Sequence, residues 1–194
     1  MPFILSSATT RTPEEVAEAN GDGVRWFQLY RFVVMIFASA TTLKGHRPRT
    51  DEITLSILAR AKACKYSVLV LTVDTMILGW RPEDLKRSFF PLFHGYGGQI
   101  GLSDPAFMRL QGKQPMVGPD NRPVFPYDSA RLDRKMETDE TTREIASLGI
   151  AWSKEFQGQF RTWEDLKFLR ENWDGPLVLK GIQRTEVVFL ATAQ

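Results

Sequence analysis

Polar and charged side chains stand at or near the ends of four short apolar runs in this chain. The runs are FIL at 3–5, VRWFQLY at 24–30, SVLVLTV at 67–73 and PLVLKGI at 176–182. The polar residues are Ser6, Gln28, Tyr30, Thr72, Asp74 and Lys180. Because buried polar groups need partners, a ligand with a polar rim would satisfy such hydroxyl, amide, carboxylate and ammonium groups together. The pattern favours a binding site that can also stabilise charge.

Each of these residues also has an ordinary structural explanation. A serine or threonine at a strand end is more often a turn or cap residue, and Asp74 could cap a helix. Lys180 could extend its ammonium into solvent, and Tyr30 could be a core aromatic with its hydroxyl at the surface. Four runs that end in the same way favour one shared site over separate caps.

The apolar runs and the segments between them predict an α/β fold. The runs are mostly continuous rather than alternating, which is typical of parallel strands covered on both faces. The segment TPEEVAEA carries a capping box, Thr12 with Glu15, and has Pro13 at the first helical position. Strand–helix–strand alternation predicts a parallel sheet, and ligands bind at the carboxyl edge of such sheets.

Three more stretches place apolar residues on one face at helical spacing. The predicted buried residues are Ile53, Ile57, Leu58 and Ala61 in the first stretch, Ile145, Leu148, Trp152 and Phe156 in the second, and Leu166, Leu169 and Trp173 in the third. Thr162 is the predicted N-cap of the last helix. These helices supply the layer that a parallel sheet packs against.

Composition excludes several classes of protein. The 194 residues suffice for one domain, and 25 Lys and Arg balance 23 Asp and Glu without a dense basic run, so nucleic acid is not an expected partner. Cys64 is the single cysteine, which fits a reducing compartment. The expected location is intracellular and cytoplasmic, with the peroxisome and the mitochondrion as alternatives. With His46 and His94 the only histidines, no His/Cys metal site is expected. The apolar stretch at 32–40 is shorter than the roughly 20 residues of a membrane span.

Several strings resemble the FMN-dependent α-hydroxy acid oxidases and dehydrogenases. They are RWFQLY, LTVDT with LGWRPED, and PLVLKGI. LVLTVDTMILGWRPEDL, FHGYGGQIGLSDPAF and TWEDLKFLRENWDGPLVLKGIQ are most similar to the lactate 2-monooxygenase branch. The resemblance covers most of 1–30 and 48–194. It implies a partial (β/α)8 TIM barrel, strands two to five with a long active-site loop, and FMN at the barrel mouth.

The resemblance assigns four residues to the flavin. Ser6, Gln28 and Thr72 match positions that hydrogen-bond the polar edge of the ring. Lys180 matches the lysine beside flavin N1 and the C2 carbonyl. A cation there stabilises the negative charge that develops on the ring during substrate oxidation.

The resemblance also assigns the substrate and catalytic residues. Tyr30 and Arg81 match residues that hold the substrate carboxylate, a role that suits the planar guanidinium. Asp74 matches the carboxylate that orients the catalytic histidine. That histidine follows strand six of the family barrel and has no counterpart here, and His94 is expected to be an exposed loop residue.

The chain departs from a simple barrel pattern as a whole and in two segments. Residues 1–194 are interpreted as one domain that lacks the first strand and the last strands, which is expected to leave unpaired strand edges. Residues 31–47 have no family counterpart, and we interpret them as an anomalous insertion, such as translated intron in a truncated gene. Residues 82–139 are predicted to be a long loop, with GYGGQIG in a mobile lid that opens no helix.

The resulting functional hypothesis is a flavoprotein oxidoreductase for small L-2-hydroxy acids. Its leading form converts lactate and O2 to acetate and CO2, as in the lactate 2-monooxygenase branch. One alternative is a catalytically incompetent barrel fragment without the histidine base and phosphate site. Another is an oxidase that releases pyruvate and peroxide. The resemblance implies a homo-oligomer for the complete family protein. From composition and apolar length, no membrane or nucleic-acid partner is expected.

Overall fold

A four-stranded parallel sheet organises the chain in the computed structural model, which describes residues 1–30, 48–74, 79–118, 122–155 and 164–184. Its strands, in both chain and sheet order, are β1 (Phe3–Ser6), β2 (Arg25–Leu29), β3 (Val68–Thr72) and β4 (Leu177–Lys180). All four predicted strands are therefore confirmed. The anomalous insertion predicted at 31–47 lies outside the described residues.

Helices connect the strands. They are α1 (Pro13–Asn20), α2 (Pro48–Ala63), α3 (Pro82–Lys86), a 3-10 helix (Pro91–His94), α4 (Gln99–Leu102), α5 (Pro105–Leu110), α6 (Ser129–Thr138), α7 (Glu140–Lys154) and α8 (Glu164–Asn172). Helices α1 and α2 are the first two crossovers, whereas α3 to α8 all lie between β3 and β4. Among these described helices, none has both the length and the apolar content needed to cross a bilayer.

The predicted capping box of α1 is present. The Thr12 hydroxyl accepts a hydrogen bond from the Glu15 backbone N–H at 3.2 Å, and Glu15 Oε2 accepts one from the Thr12 N–H at 2.9 Å. Pro13 occupies the first helical position, where its missing N–H removes no helical bond. The start of α1 shortly after β1 is thereby fixed by local chemistry.

The core lies between the helices and one face of the sheet. Alternate strand residues point to this face, namely Leu5, Phe27, Leu29, Leu69 and Leu71, and all are buried. The helical residues that pack with them include Ile53, Ile57, Leu58, Ala61, Leu148, Trp152, Leu166, Leu169 and Trp173, all buried as predicted. Ile145 is only partly buried, and Phe156 and Thr162 lie outside the described residues.

The opposite face of the sheet is less well covered than the continuous apolar runs predicted. Ile4 of β1 is 48% exposed and Val178 of β4 is 40% exposed, whereas Val70 on the central strand β3 is 6% exposed. These residues alternate with the core positions and point away from the helices. The prediction of strands covered on both faces is thus wrong for the outer strands, because in the described part of the chain helices pack against one face alone.

Residues 82–139 require a correction, because they are built from short helices as well as loops. Asp104 caps α5 and Asp128 caps α6, each accepting backbone N–H bonds through its carboxylate. The glycine-rich stretch does open a helix, since α4 begins at Gln99. A Cβ on Gly149 of α7 would lie 2.4 Å from the Leu92 carbonyl oxygen, so α7 packs closely on this segment. The segment has its own packed interior rather than the character of a free lid.

Arg60 of α2 links α1 and α2 to the turn between α4 and α5. Its guanidinium grips both carboxylate oxygens of Glu14 at 2.8 and 2.9 Å and also reaches Ser103 Oγ at 2.8 Å. It lies 3.5 Å from the fully buried carboxylate of Asp104. Burial alone would raise the pKa of Glu14, but hydrogen bonds and charge from Arg60 lower it. Arg60 therefore joins α1, α2 and the α4–α5 turn.

Arg60→Met is expected to lower the free energy of unfolding by roughly 3 kcal/mol, because it leaves the buried Asp104 carboxylate without its cation. Urea unfolding followed by circular dichroism measures the change. Arg134→Met is the control, since Arg134 is exposed on α6 and its loss should change stability by no more than about 0.5 kcal/mol. Equal effects of the two substitutions would contradict the role given to Arg60.

Asp139 provides a pH-dependent contribution to stability. Its carboxylate accepts hydrogen bonds from Thr142 Oγ1 and Lys135 Nζ, which lower its pKa from 3.8 to about 2. Because folding lowers this pKa, the Asp139 carboxylate stabilises the folded protein at pH values above its pKa in the unfolded chain. This stabilisation is lost as the pH falls towards 2. Asp139→Asn keeps a capping side chain but removes the charge, so it should lower the urea midpoint at pH 6 and converge with the wild type near pH 2–3. A difference that stays constant over this pH range would contradict the assignment.

Candidate active site

A row of three hydrogen-bonded side chains crosses the carboxyl edge of the sheet. The Ser6 hydroxyl donates to Gln28 Oε1 at 2.7 Å, and Gln28 Nε2 donates to Thr72 Oγ1 at 2.7 Å. Gln28 and Thr72 are buried, and Ser6 is half-buried. Three of the four residues predicted to bind the flavin are thus brought together across β1, β2 and β3.

Strand register explains how the row forms. Ser6 and Gln28 are Cα partners, so their side chains lie side by side on one face. Gln28 pairs with Val70, and Thr72 lies two residues further on, which places it on the same face one step towards the carboxyl edge. The long glutamine side chain spans that step. All three side chains point away from the helical core.

The row retains hydrogen-bond donors for a ligand. Gln28 uses one of its two amide N–H groups on Thr72, and Thr72 accepts this bond, so its own O–H is not consumed by it. Ser6 Oγ accepts from the Ala8 N–H at 3.1 Å while donating to Gln28. The second Gln28 N–H and the Thr72 O–H can therefore serve a ligand rich in hydrogen-bond acceptors.

Lys180 and Asp74 form an ion pair at the end of this row. Lys180 is the Cα partner of Thr72, and its Nζ lies 3.0 and 3.3 Å from the two carboxylate oxygens of Asp74. The lysine side chain is 51% exposed, and exposed pairs of this kind contribute about 0–1 kcal/mol. The ammonium can therefore turn towards an anionic ligand at little energetic cost.

Gly181 makes room for this ion pair. Its backbone φ is 100°, a conformation that side chains strain, and a Cβ there would lie 2.4 Å from Asp74 Cβ and 2.8 Å from Asp74 Oδ2. The residue after Lys180 must therefore be glycine if Asp74 is to reach the lysine. The sequence analysis did not single out Gly181, although a glycine directly after the lysine at the strand end is visible in the sequence.

Ser7 is a second residue that sequence reasoning missed. It is fully buried, and its hydroxyl accepts a hydrogen bond from the Tyr30 backbone N–H at 3.1 Å. Its own N–H donates to the Gln28 carbonyl, which extends the β1–β2 ladder. Ser7 thereby fixes the backbone of Tyr30 just beyond β2, on the edge where the polar row lies.

Arg81 is not brought to the polar row. It lies directly before α3, its side chain is 63% exposed, and its guanidinium is 3.6 Å from the Asp84 carboxylate. Residues 75–78, which join it to Asp74, lie outside the described residues. Its assignment to the substrate carboxylate stays a prediction.

His94 is buried, so the prediction of an exposed loop histidine is wrong. Its Nδ1 lies 2.8 Å from the Tyr127 hydroxyl, and its Nε2 lies 2.9 Å from Asp133 Oδ1. The histidine ends the 3-10 helix and links it to α6 and to the segment before α6. This placement gives His94 a structural role, separate from Asp74.

The comparison with known families decides the assignment. The sequence profile of the FMN-dependent dehydrogenases matches residues 1–194. The chain belongs to this family. The resemblance drawn from short strings is therefore confirmed, and so are FMN as the family's cofactor and oxidoreductase as its enzyme class.

Curated relatives carry names that agree with this assignment. An FMN-dependent alpha-hydroxy acid dehydrogenase, qulF, from Penicillium citrinum is 37% identical over 186 residues, which are 96% of this chain and 37% of that protein. An L-lactate oxidase from Lysinibacillus sphaericus is 39% identical over 108 residues, 56% of this chain and 24% of that protein. The chain thus spans little more than a third of the length of the first relative.

Solved structures agree in fold. The monotopic membrane protein (S)-mandelate dehydrogenase superposes with a TM-score of 0.59 at 25% identity, over 100% of this chain and 43% of that one. A putative lactate oxidase from Pediococcus acidilactici gives a TM-score of 0.53 at 20% identity, over 99% of this chain and 36% of that one. These neighbours are TIM barrels, and the four-stranded sheet corresponds to part of such a barrel.

Gly181→Ala tests the link between Gly181 and the ion pair. It should lower the free energy of unfolding by about 1–3 kcal/mol more than Gly118→Ala, because the new methyl group displaces Asp74. Gly118 is a matched control, since its φ of 105° is similar but nothing lies within 4 Å of the point that a Cβ would occupy. Urea unfolding measures both variants, and equal losses would show that backbone strain alone is responsible.

Proposed function

We propose that this chain binds the FMN ring along the polar row and serves the oxidation of small L-2-hydroxy acids. The observation that carries the proposal is the row itself. Ser6, Gln28 and Thr72 are already hydrogen-bonded in line, and Lys180 adds a cation beside Thr72. A row of donors that ends in a cation matches a flat heterocycle with carbonyl oxygens along one edge.

The donor set fits a flavin. The polar edge of the isoalloxazine ring presents two carbonyl oxygens and ring nitrogens that accept hydrogen bonds, with one N–H between the carbonyls. The Thr72 O–H and the second Gln28 N–H supply donors, and the oxygens of Ser6 and Gln28 supply acceptors. The row is buried on its core side, which excludes water from one flank of the ring.

Lys180 is the residue proposed to stabilise charge. FMN would supply a two-electron acceptor for oxidation of the substrate α-carbon, and Lys180 would stabilise negative charge at the polar edge of the ring. The Lys180 ammonium is held within 3.0 Å of Asp74 and can turn to that edge. A cation held close to developing charge in a partly enclosed site lowers the barrier to reduction.

Asp74, Tyr30 and Arg81 are proposed to act on the substrate side. Asp74 would hold the imidazole of a histidine base and stabilise its protonated form. Tyr30 and Arg81 would bind the substrate carboxylate, the guanidinium through two parallel hydrogen bonds. For Arg81 to do so, its side chain must leave Asp84 and rotate towards the polar row at the carboxyl edge of the sheet.

Lactate is the proposed substrate. Relatives named L-lactate oxidase and L-lactate dehydrogenase support a small hydroxy acid, whereas a relative named (S)-mandelate dehydrogenase, 28% identical, supports an aromatic one. The Trp80-Arg81-Pro82 string resembles the lactate 2-monooxygenase branch. In that branch one lactate and one O2 give acetate, CO2 and water, whereas an oxidase gives pyruvate and hydrogen peroxide.

A second candidate is flavin binding without turnover. The described part of the chain contains one histidine, His94, which is engaged by Tyr127 and Asp133 rather than by Asp74. A histidine base for the substrate hydroxyl is then not supplied at this site by the described residues. Turnover with lactate separates the two candidates.

Titration of the purified chain with FMN, followed by the visible absorption spectrum, tests the site. Gln28→Leu is expected to weaken FMN binding about tenfold, because it removes hydrogen bonds worth about 1–1.5 kcal/mol. Lys180→Met should make the midpoint potential of bound FMN more negative, because the cation beside the ring is lost. Arg134→Met, on the exposed face of α6, is the matched control and should change neither quantity.

Two results would contradict the proposal. Unchanged FMN affinity in Gln28→Leu would show that the ring does not lie on the row. Failure of the wild-type chain to bind FMN would reject the cofactor site in this chain. If flavin is bound, loss of its visible absorption on addition of lactate indicates turnover. Acetate as the product then indicates the monooxygenase branch, and pyruvate indicates an oxidase.

A further inference from the structure

The loop from β1 to α1, residues 7–11, orients the first members of the polar row. The Ala8 N–H donates to Ser6 Oγ at 3.1 Å and thereby occupies one lone pair of this hydroxyl. The Ser6 O–H is directed at Gln28 Oε1, 2.7 Å away, and the Nε2 end of the same amide faces Thr72. The loop therefore favours the orientation of the Gln28 amide in which the oxygen lies towards β1 and the nitrogen towards β3.

A backbone contact from a distant part of the chain holds this loop at its midpoint. The Gln99 N–H donates to the Thr9 carbonyl at 3.2 Å, and Thr9 and Gly98 form an isolated parallel bridge. Thr9 follows Ala8 directly, and Thr9 Oγ1 also accepts a hydrogen bond from the Arg11 N–H at 3.4 Å. The segment between β3 and β4 therefore reaches the loop that supports the Ser6 hydroxyl.

The Gln99 side chain builds the turn that presents this N–H. Its Oε1 accepts from the Gly97 N–H at 3.0 Å, and its Nε2 donates to the Gly95 carbonyl at 2.8 Å. The side chain is buried, so these bonds are shielded from competition with water. A glycine-rich turn has many accessible conformations, and the two bonds from Gln99 select one of them.

The same turn rests directly on the core. A Cβ on Gly101 would lie 2.2 Å from the Trp152 ring, so α4 packs closely against this fully buried side chain of α7. The Gln99 N–H is therefore presented to Thr9 from a position fixed by the core. The loop after β1 has a firm support outside its own sequence.

We propose that Gln99 is a positioning residue for the polar row. Its side chain fixes the glycine-rich turn, its backbone N–H holds Thr9, and the loop in turn orients the Ser6 hydroxyl and the Gln28 amide. The use of this orientation, presenting donors to the FMN ring, rests on the proposed function. The orientation itself can be measured without FMN.

Gln99→Met tests the role of the side chain, because methionine has a similar length and neither bonds Gly97 nor donates to Gly95. Hydrogen exchange of residues 8–12, followed by mass spectrometry without FMN, should become about tenfold faster, because the loop loses its support. The side-chain amide signals of Gln28 in nuclear magnetic resonance spectra, assigned by their loss in Gln28→Leu, should shift. Titration with FMN should show weaker binding by about threefold or more.

Met108→Ala is the control for general loosening. Met108 is fully buried in α5, so its truncation weakens packing in the same part of the chain while Gln99 keeps its bonds. This variant should lower the urea midpoint and leave the Gln28 amide signals in place. Circular dichroism establishes that each variant folds.

Gly97→Ala is a second, milder variant of the turn. Gly97 has a φ of 88°, and the nearest atom to an added Cβ is Leu92 Cδ2 at 3.7 Å, so alanine fits but strains the backbone. Its effects on loop exchange and on the Gln28 signals should have the same direction as those of Gln99→Met and a smaller size. Gly112→Ala is its control, since Gly112 has a φ of 68° with nothing within 4 Å.

Unchanged Gln28 signals in Gln99→Met would overturn the proposal, even if loop exchange became faster. So would equal shifts of these signals in Met108→Ala, because general loosening would then explain them. Equal effects of Gly97→Ala and Gly112→Ala would overturn it as well. Failure of the wild-type chain to bind FMN would reject the proposed function alone, since the exchange and amide measurements decide the role of Gln99 without the flavin.

Discussion

Parallel, in-register pairing of four strands is the constraint on which the rest of the structure depends. Because side chains alternate along a strand, residues of one parity face the helices and residues of the other parity face away. Register then decides which side chains meet. Ser6 stands beside Gln28, and Thr72 stands beside Lys180, so residues far apart in sequence converge on one edge. A slip of one residue in any strand would send its polar group into the helical core.

Local chemistry made much of this fold predictable from the sequence. The apolar runs predicted the strands. The capping box at Thr12 predicted α1, and the apolar face formed by Ile53, Ile57 and Ala61 predicted α2. The polar ends of the runs gave most of the candidate site. These features depend on neighbours in sequence or on strand parity, which a single sequence displays directly.

Features that depend on distant contacts could not be predicted in this way. His94 follows a loop-like stretch, and only the packing of Tyr127 and Asp133 around it makes it buried. Helix α6 has a single buried residue, Leu132, and so carries little apolar pattern, although its capping Asp128 is visible in the sequence. For His94, tertiary contact overrode the local signal.

The electrostatic strength of the site is set by how much water reaches it. Lys180 is half-exposed and forms an ion pair with Asp74. At such an exposed position a charge has little effect on a neighbouring group, because water screens it. The same ammonium becomes far more effective when the ring, the substrate and further barrel strands exclude water around it. The ion pair is therefore weak at the open edge of the sheet. Exclusion of water from this edge determines how strongly the Lys180 ammonium can act on a neighbouring anion, because it sets the dielectric environment of that charge.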